Sequence, residues 1–207
     1  ERTYLTRGMI MRLVKMAGLR DPKETSHHVQ RVSRFAVEIY DAWATKHGIP
    51  IEEQNKYRDS LSIAAMLHDC GKVGISDTIL KKPARFTPEE HDVIKMHCGV
   101  GAKLFYPYQS LLDEMVLEVV LHHHERWDGT GYPGIIDIEN ANDEDLDSMI
   151  HGKPIKKEEI PLSARIVALA DVFDALSSKR AYKEVWSEAE VLNEIQESAG
   201  KHFDPDI

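Results

Sequence analysis

The chain of 207 residues has a hydrophobic content of 42%, enough for one domain with a sizeable core or for two small ones. Its formal net charge of −9 argues against a surface that holds polymeric nucleic acid, because phosphate binding needs an excess of lysine and arginine. No apolar run approaches the roughly 20 residues that span a bilayer. Since the chain begins with neither Met nor a signal-peptide pattern, we expect a fragment of a longer protein.

The chain contains two cysteines, Cys70 and Cys98, which is too few for the disulfide framework of a small secreted protein. This usage favours the reducing cytoplasm. We expect both side chains to be small packing residues, since free cysteine is among the most buried residue types.

Helical patterns separated by short turns make up most of the sequence, with no convincing strand alternation and no internal repeat. We therefore predict an all-α single domain, a compact multi-helix bundle. An amphipathic helix is predicted over residues 3–18, and its apolar face suits either the core or a dimer interface. That face consists of Leu5, Met9, Leu13 and Met16.

Further helices are predicted from their periodicity and end signals, at residues 23–47, 52–70, 110–125, 162–178 and 187–199. Gly71 would end the helix over 52–70, as a residue suited to the left-handed cap. Another helix begins at Thr87-Pro88-Glu89-Glu90, which forms a capping box with proline at the first helical position.

The segment from Gly134 to Glu159 departs from this pattern, since it holds eight acidic and three basic side chains and few large apolar ones. We predict that it forms an acidic excursion on the surface.

Asp171 lies within Ala164–Leu176, a stretch that is apolar nearly all round and therefore predicts a buried helix. An unpaired carboxylate at such a position is very costly, so a positive charge is expected beside it. Few structural roles place a carboxylate in the middle of such a run.

Eleven histidines occur in the chain, and several stand beside carboxylates. Glu24 and His28 are four residues apart on one helix face, and His68-Asp69 ends a core helix. A cluster of metal ions explains these pairs together with the inward-facing His97, His123, His124 and Asp171. Histidine and carboxylate without thiolate suit iron, manganese or zinc. Taken singly, His97 also fits a hydrogen-bonded core histidine, and Glu24 with His28 fits an ordinary helix pair.

In order along the chain, the motifs resemble the HD-GYP family of bacterial cyclic-dinucleotide phosphodiesterases. The matching segments are Glu24-Thr25-x-x-His28-x-x-Arg31, His68-Asp69-x-Gly71-Lys72, His97-x-x-x-Gly101, His123-His124-Glu125, Gly131-Tyr132-Pro133, Asp171-Val172-Phe173-Asp174 and Arg180-x-Tyr182-Lys183. The resemblance runs from about residue 22 to the C-terminus. It implies an HD-type bundle with a metal cluster in its core, preceded by residues 1–21 as a helix or linker from an upstream domain.

The resemblance also implies residue roles. The metal ligands would be Glu24, His28, His68, Asp69, His97, His123, His124 and Asp171, with Asp69 bridging two of two or three divalent ions. Iron or manganese is expected, with zinc or other metals as alternatives. The contacts to the substrate would come from Lys72, Tyr132, Asp174, Arg180 and Lys183, with Asp69 and Lys72 also catalytic.

The implied activity is hydrolysis of cyclic di-GMP to linear pGpG, with cleavage on to GMP left open. A sensor that binds the dinucleotide without turnover, or a module that contacts a diguanylate cyclase, is the alternative from another class. A general HD-type nucleotide phosphohydrolase would keep the metals but leave Tyr132, Arg180 and Lys183 unexplained. In the family, the connection after Gly-Tyr-Pro is normally much shorter than residues 134–159, so this insertion is expected to act as a lid, a partner surface or an electrostatic barrier.

Overall fold

The computed structural model describes residues 26–142, 145–178 and 186–207, together with five helical residues nearer the N-terminus, which are Gly8, Ile10, Arg12, Val14 and Lys15. Val14 packs with Val29 and Met66. The apolar face predicted for a core or dimer contact, formed by Leu5, Met9, Leu13 and Met16, lies outside the described residues.

Nine α-helices are defined in the described part of the chain, which confirms the all-α prediction. They are α1 (Ser26–Lys46), α2 (Ile51–Leu67), α3 (Asp77–Leu80), α4 (Pro88–Lys95), α5 (His97–Lys103), α6 (Leu111–His122), α7 (Leu146–Ile150), α8 (Leu162–Ser177) and α9 (Glu188–Ser198). Short 3-10 turns cover Cys70–Gly74 and Lys157–Glu159. Two isolated β-bridges are the extended pairings among these residues. None of the described helices combines the length and the apolar character that crossing a bilayer requires.

The main core is formed where α1 packs on α2 and α8 and where α6 closes the bundle against α2 and α8. Helix α1 buries Val32, Ala36, Tyr40 and Ala44. Their spacing of four places them on one face of the helix. The Tyr40 ring stacks on Tyr57 of α2 with a centroid distance of 4.4 Å. Helix α8 is buried over most of its circumference, as its apolar sequence predicts.

Helix ends follow the local signals in the sequence. Thr87 accepts a hydrogen bond from the Glu90 backbone and Glu90 accepts one from the Thr87 backbone, so the predicted capping box is present. Ser187 and Glu190 form the same arrangement at the start of α9. Past α1, the chain turns through Gly48 at a φ of 66°. This left-handed conformation suits glycine.

The prediction of a left-handed cap at Gly71 was wrong. Helix α2 ends at Leu67, and Gly71 lies in the 3-10 turn without a positive φ. A Cβ at Gly71 would overlap the His97 carbonyl oxygen and would lie 2.5 Å from the Gly101 backbone nitrogen. Gly71 therefore allows the turn and α5 to touch backbone to backbone, a close approach that only glycine permits.

The predicted acidic surface excursion over residues 134–159 has an apolar inner side that packs on the bundle. Ile136, Met149, Ile150 and Ile155 are buried, whereas acidic side chains such as Asp137 and Asp147 point to solvent. Helix α7 packs on α4 and α5, and its Met149 and Ile150 form a small core with Met96 and Val100. The insertion is thus a covering layer over α5 with an acidic outer surface.

Backbone pairing holds residues 135 and 153 of the insertion together. Ile135 and Lys153 exchange two backbone hydrogen bonds, of 2.8 and 3.1 Å, and the Gly152 nitrogen donates to the Pro133 carbonyl at 2.8 Å. We call this pairing the neck of the insertion. Gly134 adopts a φ of +77°, and a Cβ there would lie 2.5 Å from the Lys153 carbonyl oxygen. Glycine therefore meets both the dihedral and the steric requirement of the neck.

The C-terminal segment is tied to the loop after α6. The backbone nitrogens of Trp127 and Asp128 donate to the carbonyls of His202 and Lys201, at 3.1 and 2.9 Å. Arg165 pairs with the buried Asp204, and its guanidinium lies 5.8 Å from the centre of the Trp127 ring. These contacts fix the loop that directly follows His123 and His124.

Candidate metal centre

Two groups of histidine and carboxylate side chains meet in the middle of the bundle. In each group the possible ligand atoms all lie within 4.8 Å of one another. The first group is Asp69, His97, His123 and His124, and the second is His28, His68 and Asp171. Since His68 and Asp69 are consecutive, the two groups are neighbours. Seven of the eight sequence-predicted ligands are therefore brought together, and Glu24 lies outside the described residues.

Helix ends position most of these side chains. His68 caps the C-terminus of α2 and Asp69 begins the following 3-10 turn. His97 is the first residue of α5, and His123 caps the C-terminus of α6. The carbonyl ends of α2 and α6, where His68 and His123 lie, favour a nearby cation through the helix dipoles. His28 and Asp171 project from α1 and α8.

The histidine tautomers show what the centre can hold. The Nδ1 atoms of His68, His97 and His123 lie 2.8, 2.6 and 3.0 Å from the backbone carbonyls of Ala65, Ile94 and Val119. Because a carbonyl only accepts, each Nδ1 carries a hydrogen, and Nε2 is the nitrogen of each ring that could bind a metal ion. This second contact that orients a ring is typical of histidine ligands.

The Nε2 atoms of His97 and His123 both face the carboxylate of Asp69. His97 Nε2 lies 3.5 Å from His123 Nε2, and Asp69 Oδ1 lies 3.1 and 3.7 Å from these two nitrogens. Asp69 Oδ1 is buried, and no hydrogen bond of good geometry reaches it from the residues that the structure describes. Several acceptors around one space require a cation, so these residues fit a divalent metal ion.

The pKa shifts of the site residues agree with a site for a cation. Burial lowers the pKa of His123 and lowers that of His124 well below its usual value, which leaves both rings neutral and able to bind metal. Burial alone would raise the pKa of Asp69, but Lys72 and His68 outweigh it and hold this pKa well below its usual range. Burial also opposes charge on His97, yet Cys98 and Asp69 prevail and raise its pKa to about 10, so its Nε2 binds a proton unless another cation, such as a metal ion, takes that place. The centre therefore favours positive charge despite its burial.

In the second group, Asp171 is not the fully buried carboxylate that its sequence predicted. Its side chain is 23% exposed, and its Oδ1 lies 3.4 Å from His28 Nε2. The buried carboxylate of α8 is Asp174, which is 2% exposed. One turn of helix separates the two, so Asp171 faces the centre while Asp174 faces α1.

Asp174, which the family resemblance assigns to substrate contact, is enclosed by other protein side chains. Arg31 donates from Nε to Oδ1 at 2.6 Å and from Nη2 to Oδ2 at 2.9 Å, and His28 Nδ1 lies 2.7 Å from Oδ2. Both oxygens are therefore engaged within the protein. Asp174 orients the ring of His28 and sets its tautomer, with Arg31 holding the carboxylate in turn. Sequence reasoning placed Arg31 in a motif but gave it no role, although its spacing of three from His28 on α1 was a usable signal.

Lys72, predicted to bind substrate, lies beside the first ligand group, where its Nζ donates to Asp69 Oδ2 at 2.6 Å. The side chain is 20% exposed, so the ammonium stands at the edge of the centre. Tyr132 stacks on the ring of His124 with a centroid distance of 4.9 Å, and Lys95 Nζ lies 5.6 Å from the Tyr132 ring centre. Burial raises the pKa of Tyr132, so its hydroxyl keeps its hydrogen. Arg180 and Lys183, predicted to contact substrate, lie outside the described residues.

Glu125 is a further residue that sequence reasoning left without a role. Its side chain is buried and accepts a hydrogen bond from the Gly134 backbone at 2.5 Å. A Cβ at Gly131 would lie 2.5 Å from the Glu125 Cα, so the loop packs tightly on this residue. Glu125 therefore holds the Gly-Tyr-Pro segment beside the two histidines that precede it.

Comparisons with known proteins bear on this arrangement. The HD domain family model matches residues 25–176, and a second HD domain model matches residues 151–207. The 3'3'-cGAMP-specific phosphodiesterase 2 of Vibrio cholerae is 33% identical over 185 residues, which are 89% of this chain and 30% of that protein. A cyclic di-GMP phosphodiesterase of Thermotoga maritima is 33% identical over 198 residues, which are 96% of this chain and 46% of that protein.

Among solved structures, a protein of Bdellovibrio bacteriovorus described as HDG"Y"P has the same fold, with a TM-score of 0.52 at 22% identity. The match covers 85% of this chain and 47% of that one. The chain thus spans less than half the length of each of these proteins.

Proposed function

Because the chain belongs to the HD domain family, as one of its HD-GYP members, we propose that it hydrolyses cyclic di-GMP to linear pGpG with bound divalent metal ions. The observation that carries the proposal is the pair of ligand groups joined at His68-Asp69, around acceptor atoms that face one another. Two adjacent cation sites are the arrangement that phosphoester hydrolysis uses to handle both the attacking and the leaving oxygen.

The site residues Asp69, Lys72 and Tyr132 each have a role in the proposed hydrolysis. When bound, divalent ions supply Lewis acidity, which lowers the pKa of a water molecule and withdraws charge from phosphoryl oxygens. Asp69 belongs to the first ligand group and its Oδ2 lies 3.3 Å from Nε2 of His68 in the second, so it would be available to ions in both groups. Lys72 presents an ammonium at the edge of the centre, where it binds a phosphate oxygen and stabilises the negative charge that develops there. Tyr132 forms the wall beside His124 and offers its ring and hydroxyl to the nucleotide.

We further propose that the resident metal is iron or manganese, with zinc as an alternative, because the two ligand groups offer imidazole and carboxylate. A third ion is expected if Glu24 joins His28. Elemental analysis of protein purified without oxygen gives the identity and the number of ions per chain. A count of two would remove the third ion from the proposal.

Substrate choice is tested by direct competition. The metal-loaded protein is incubated with cyclic di-GMP, 3'3'-cGAMP and dGTP, and the products are separated by chromatography. We expect pGpG from cyclic di-GMP, and the appearance of GMP at later times would show a second cleavage. Binding of cyclic di-GMP without formation of product would indicate a sensor or partner module instead of an enzyme. Preferential hydrolysis of dGTP would indicate a general nucleotide phosphohydrolase.

The wider protein is expected to include a sensory or receiver domain, because the relatives are more than twice as long as the aligned segment. Contact with a diguanylate cyclase and dimer formation remain part of the proposal. The expected compartment is the cytoplasm, on the basis of the two free cysteines.

A further inference from the structure

Lys95 is a cation near the metal centre that the proposed hydrolysis does not yet use. It is the last residue of α4 and stands two positions before the ligand residue His97. Its Nζ lies 5.6 Å from the centre of the Tyr132 ring, and that ring stacks on His124 with a centroid distance of 4.9 Å. Lys95 is therefore separated from the first ligand group by one aromatic ring.

Tyr132 links Lys95 to both ligand groups. Burial, followed by Cys98, Asp69 and Asp171, raises the pKa of Tyr132. Asp69 belongs to the first ligand group and Asp171 to the second, so the Tyr132 hydroxyl is within electrostatic reach of both. An ammonium is attracted to the face of an aromatic ring, which favours a position of Lys95 at the wall that Tyr132 forms.

The carboxylate of Asp92 holds this ammonium without closing it off. Asp92 Oδ1 accepts a hydrogen bond from Lys95 Nζ at 2.6 Å, and the two side chains are 34% and 24% exposed. Ion pairs with this exposure contribute little free energy, so a substrate anion can compete for the ammonium. Because an ammonium has three hydrogens to donate, Lys95 can also bind a second acceptor while it keeps Asp92.

The insertion contributes to the surroundings of this pair. Helix α7 of the insertion packs on α4, the helix that ends at Lys95. The hydrogen bond from Lys95 is the largest cause of the lowered pKa of Asp92, and His151, at the end of α7, adds to it. The position of Lys95 therefore depends on α4, on Asp92 and on a helix of the insertion.

A cyclic dinucleotide carries two phosphodiester groups, each with one negative charge. In the proposed function the metal ions and Lys72 act on the phosphate that is cleaved, so the other phosphate needs a cation of its own. The chain has a net charge of −9 and attracts a dianion only through local clusters of cations. The ammonium of a lysine is a compact point charge, which suits a phosphate oxygen.

We propose that Lys95 binds the phosphate of the cyclic dinucleotide that is not being cleaved. Lys95 thereby distinguishes a cyclic dinucleotide from substrates that have a single phosphodiester group. The inference rests on the proposed function and adds a specificity-determining residue to it. This role is additional to the substrate contacts that the family resemblance implies for Arg180 and Lys183.

Steady-state kinetics of the metal-loaded protein with cyclic di-GMP tests this role. Lys95→Met removes the charge at similar length, Lys95→Arg keeps the charge, and Lys81→Met is the matched control, since Lys81 also pairs with an aspartate one helical turn away. Because the second phosphate does not react, its contact stabilises bound substrate and transition state equally. In Lys95→Met the KM should therefore rise about 10- to 100-fold with kcat nearly unchanged. Lys95→Arg and Lys81→Met should stay close to the wild type.

Salt and a smaller substrate separate the second phosphate from other contacts. Added salt should raise the KM of the wild type more steeply than that of Lys95→Met, because the screened contact is already missing in the variant. Bis(4-nitrophenyl) phosphate has a single phosphodiester group, so its kcat/KM should be the same in both proteins. Metal content, measured for each variant, should match that of the wild type.

The outcomes separate this inference from the proposed function. An unchanged KM in Lys95→Met, or a loss of its metal, overturns the role of Lys95 and leaves the hydrolysis by the wild type intact. A raised KM with the salt dependence of the wild type would indicate a contact with a neutral guanine edge and overturn the assignment to phosphate. An equal loss with bis(4-nitrophenyl) phosphate would place Lys95 at the reacting phosphate and overturn it as well. A metal-loaded wild type that does not hydrolyse cyclic di-GMP overturns the proposed function, and the inference with it.

Discussion

Asp171 and Asp174 are one helical turn apart on α8, and their surroundings assign them different roles. Asp171 is partly exposed and faces His28, so its charge is available to a metal ion. Asp174 is closed off by Arg31 and by the other nitrogen of the same histidine. A carboxylate that holds the far side of a histidine ligand raises its basicity and fixes its direction.

Replacing Asp174 with Asn should weaken metal binding at the His28 group by about 10- to 100-fold, the usual cost of losing a carboxylate behind a histidine ligand. The group around His97 should keep its affinity, because none of its side chains contacts Asp174. Equilibrium dialysis with elemental analysis measures both. Asp206→Asn, which alters an exposed ion pair with Lys46, serves as the control. Equal affinities in wild type and Asp174→Asn would show that Asp174 does not position His28.

Lys72→Ala should keep its metal and lose about 10- to 1,000-fold in kcat/KM for cyclic di-GMP, equal to about 1.4 to 4 kcal/mol of charge stabilisation. Metal affinity should stay the same or rise, because the ammonium that now contacts Asp69 competes with a cation for that carboxylate. Steady-state kinetics and metal titration measure the two effects. Lys81→Ala, which removes an exposed lysine paired with Asp77, is the matched control. Wild-type turnover, or loss of metal, would contradict this role for Lys72.

At the scale of elements, the turn after α2 and the start of α5 depend on each other. Gly71→Ala would drive a methyl group into the α5 backbone, and overpacking of this kind costs about 1 to 3 kcal/mol or more. Because α5 carries His97, we expect both a lower melting temperature and weaker metal binding. Thermal unfolding with and without metal checks this. An Ala variant with wild-type stability would mean that the turn and α5 are not in contact.

The C-terminal segment should give the fold a pH dependence. Burial, followed by Arg126, lowers the pKa of His202 from 6.5 to about 4. Below pH 6.5 the unfolded chain takes up a proton that the folded chain accepts only near pH 4, so the free energy of unfolding falls as the pH drops through this window. His202→Gln should flatten that part of the curve in urea unfolding series, and His151→Gln, at an exposed position, should not. Parallel curves for wild type and His202→Gln would contradict the assignment.

Helix boundaries were predictable from local sequence signals, whereas tertiary contacts between distant residues were not. The capping residues at Thr87 and Ser187 act within four residues, so the sequence alone predicts them. The ligand histidines were predictable because each stands beside a carboxylate or on an apolar face. Gly71 was misjudged because the backbone it contacts comes from α5, and Asp174 because its partner Arg31 is 143 positions away.

For the whole molecule, the two ligand groups join α1, α2, α6 and α8, which form the main core, to α5, which packs on α6. Bound ions would therefore act as cross-links between distant parts of the chain. Ligand binding to the folded state adds about 2.7 kcal/mol at a free concentration of 100 Kd. Removal of metal by a chelator should thus lower the melting temperature, and added Mn²⁺ or Zn²⁺ should restore it. Magnesium is the control for unspecific salt effects, and an unchanged melting temperature after complete metal removal would contradict a structural contribution.

The neck of the insertion allows the length and sequence of the insertion to vary during evolution. Because the chain leaves and re-enters the bundle at Ile135 and Lys153, lengthening the segment between them costs only a slowly growing loop-closure entropy. The segment between the two paired residues can therefore be replaced by another covering segment without displacing the helices that carry the ligand residues. New sequence placed there needs only a few apolar side chains to seat on α5, and its outer surface is left open to variation.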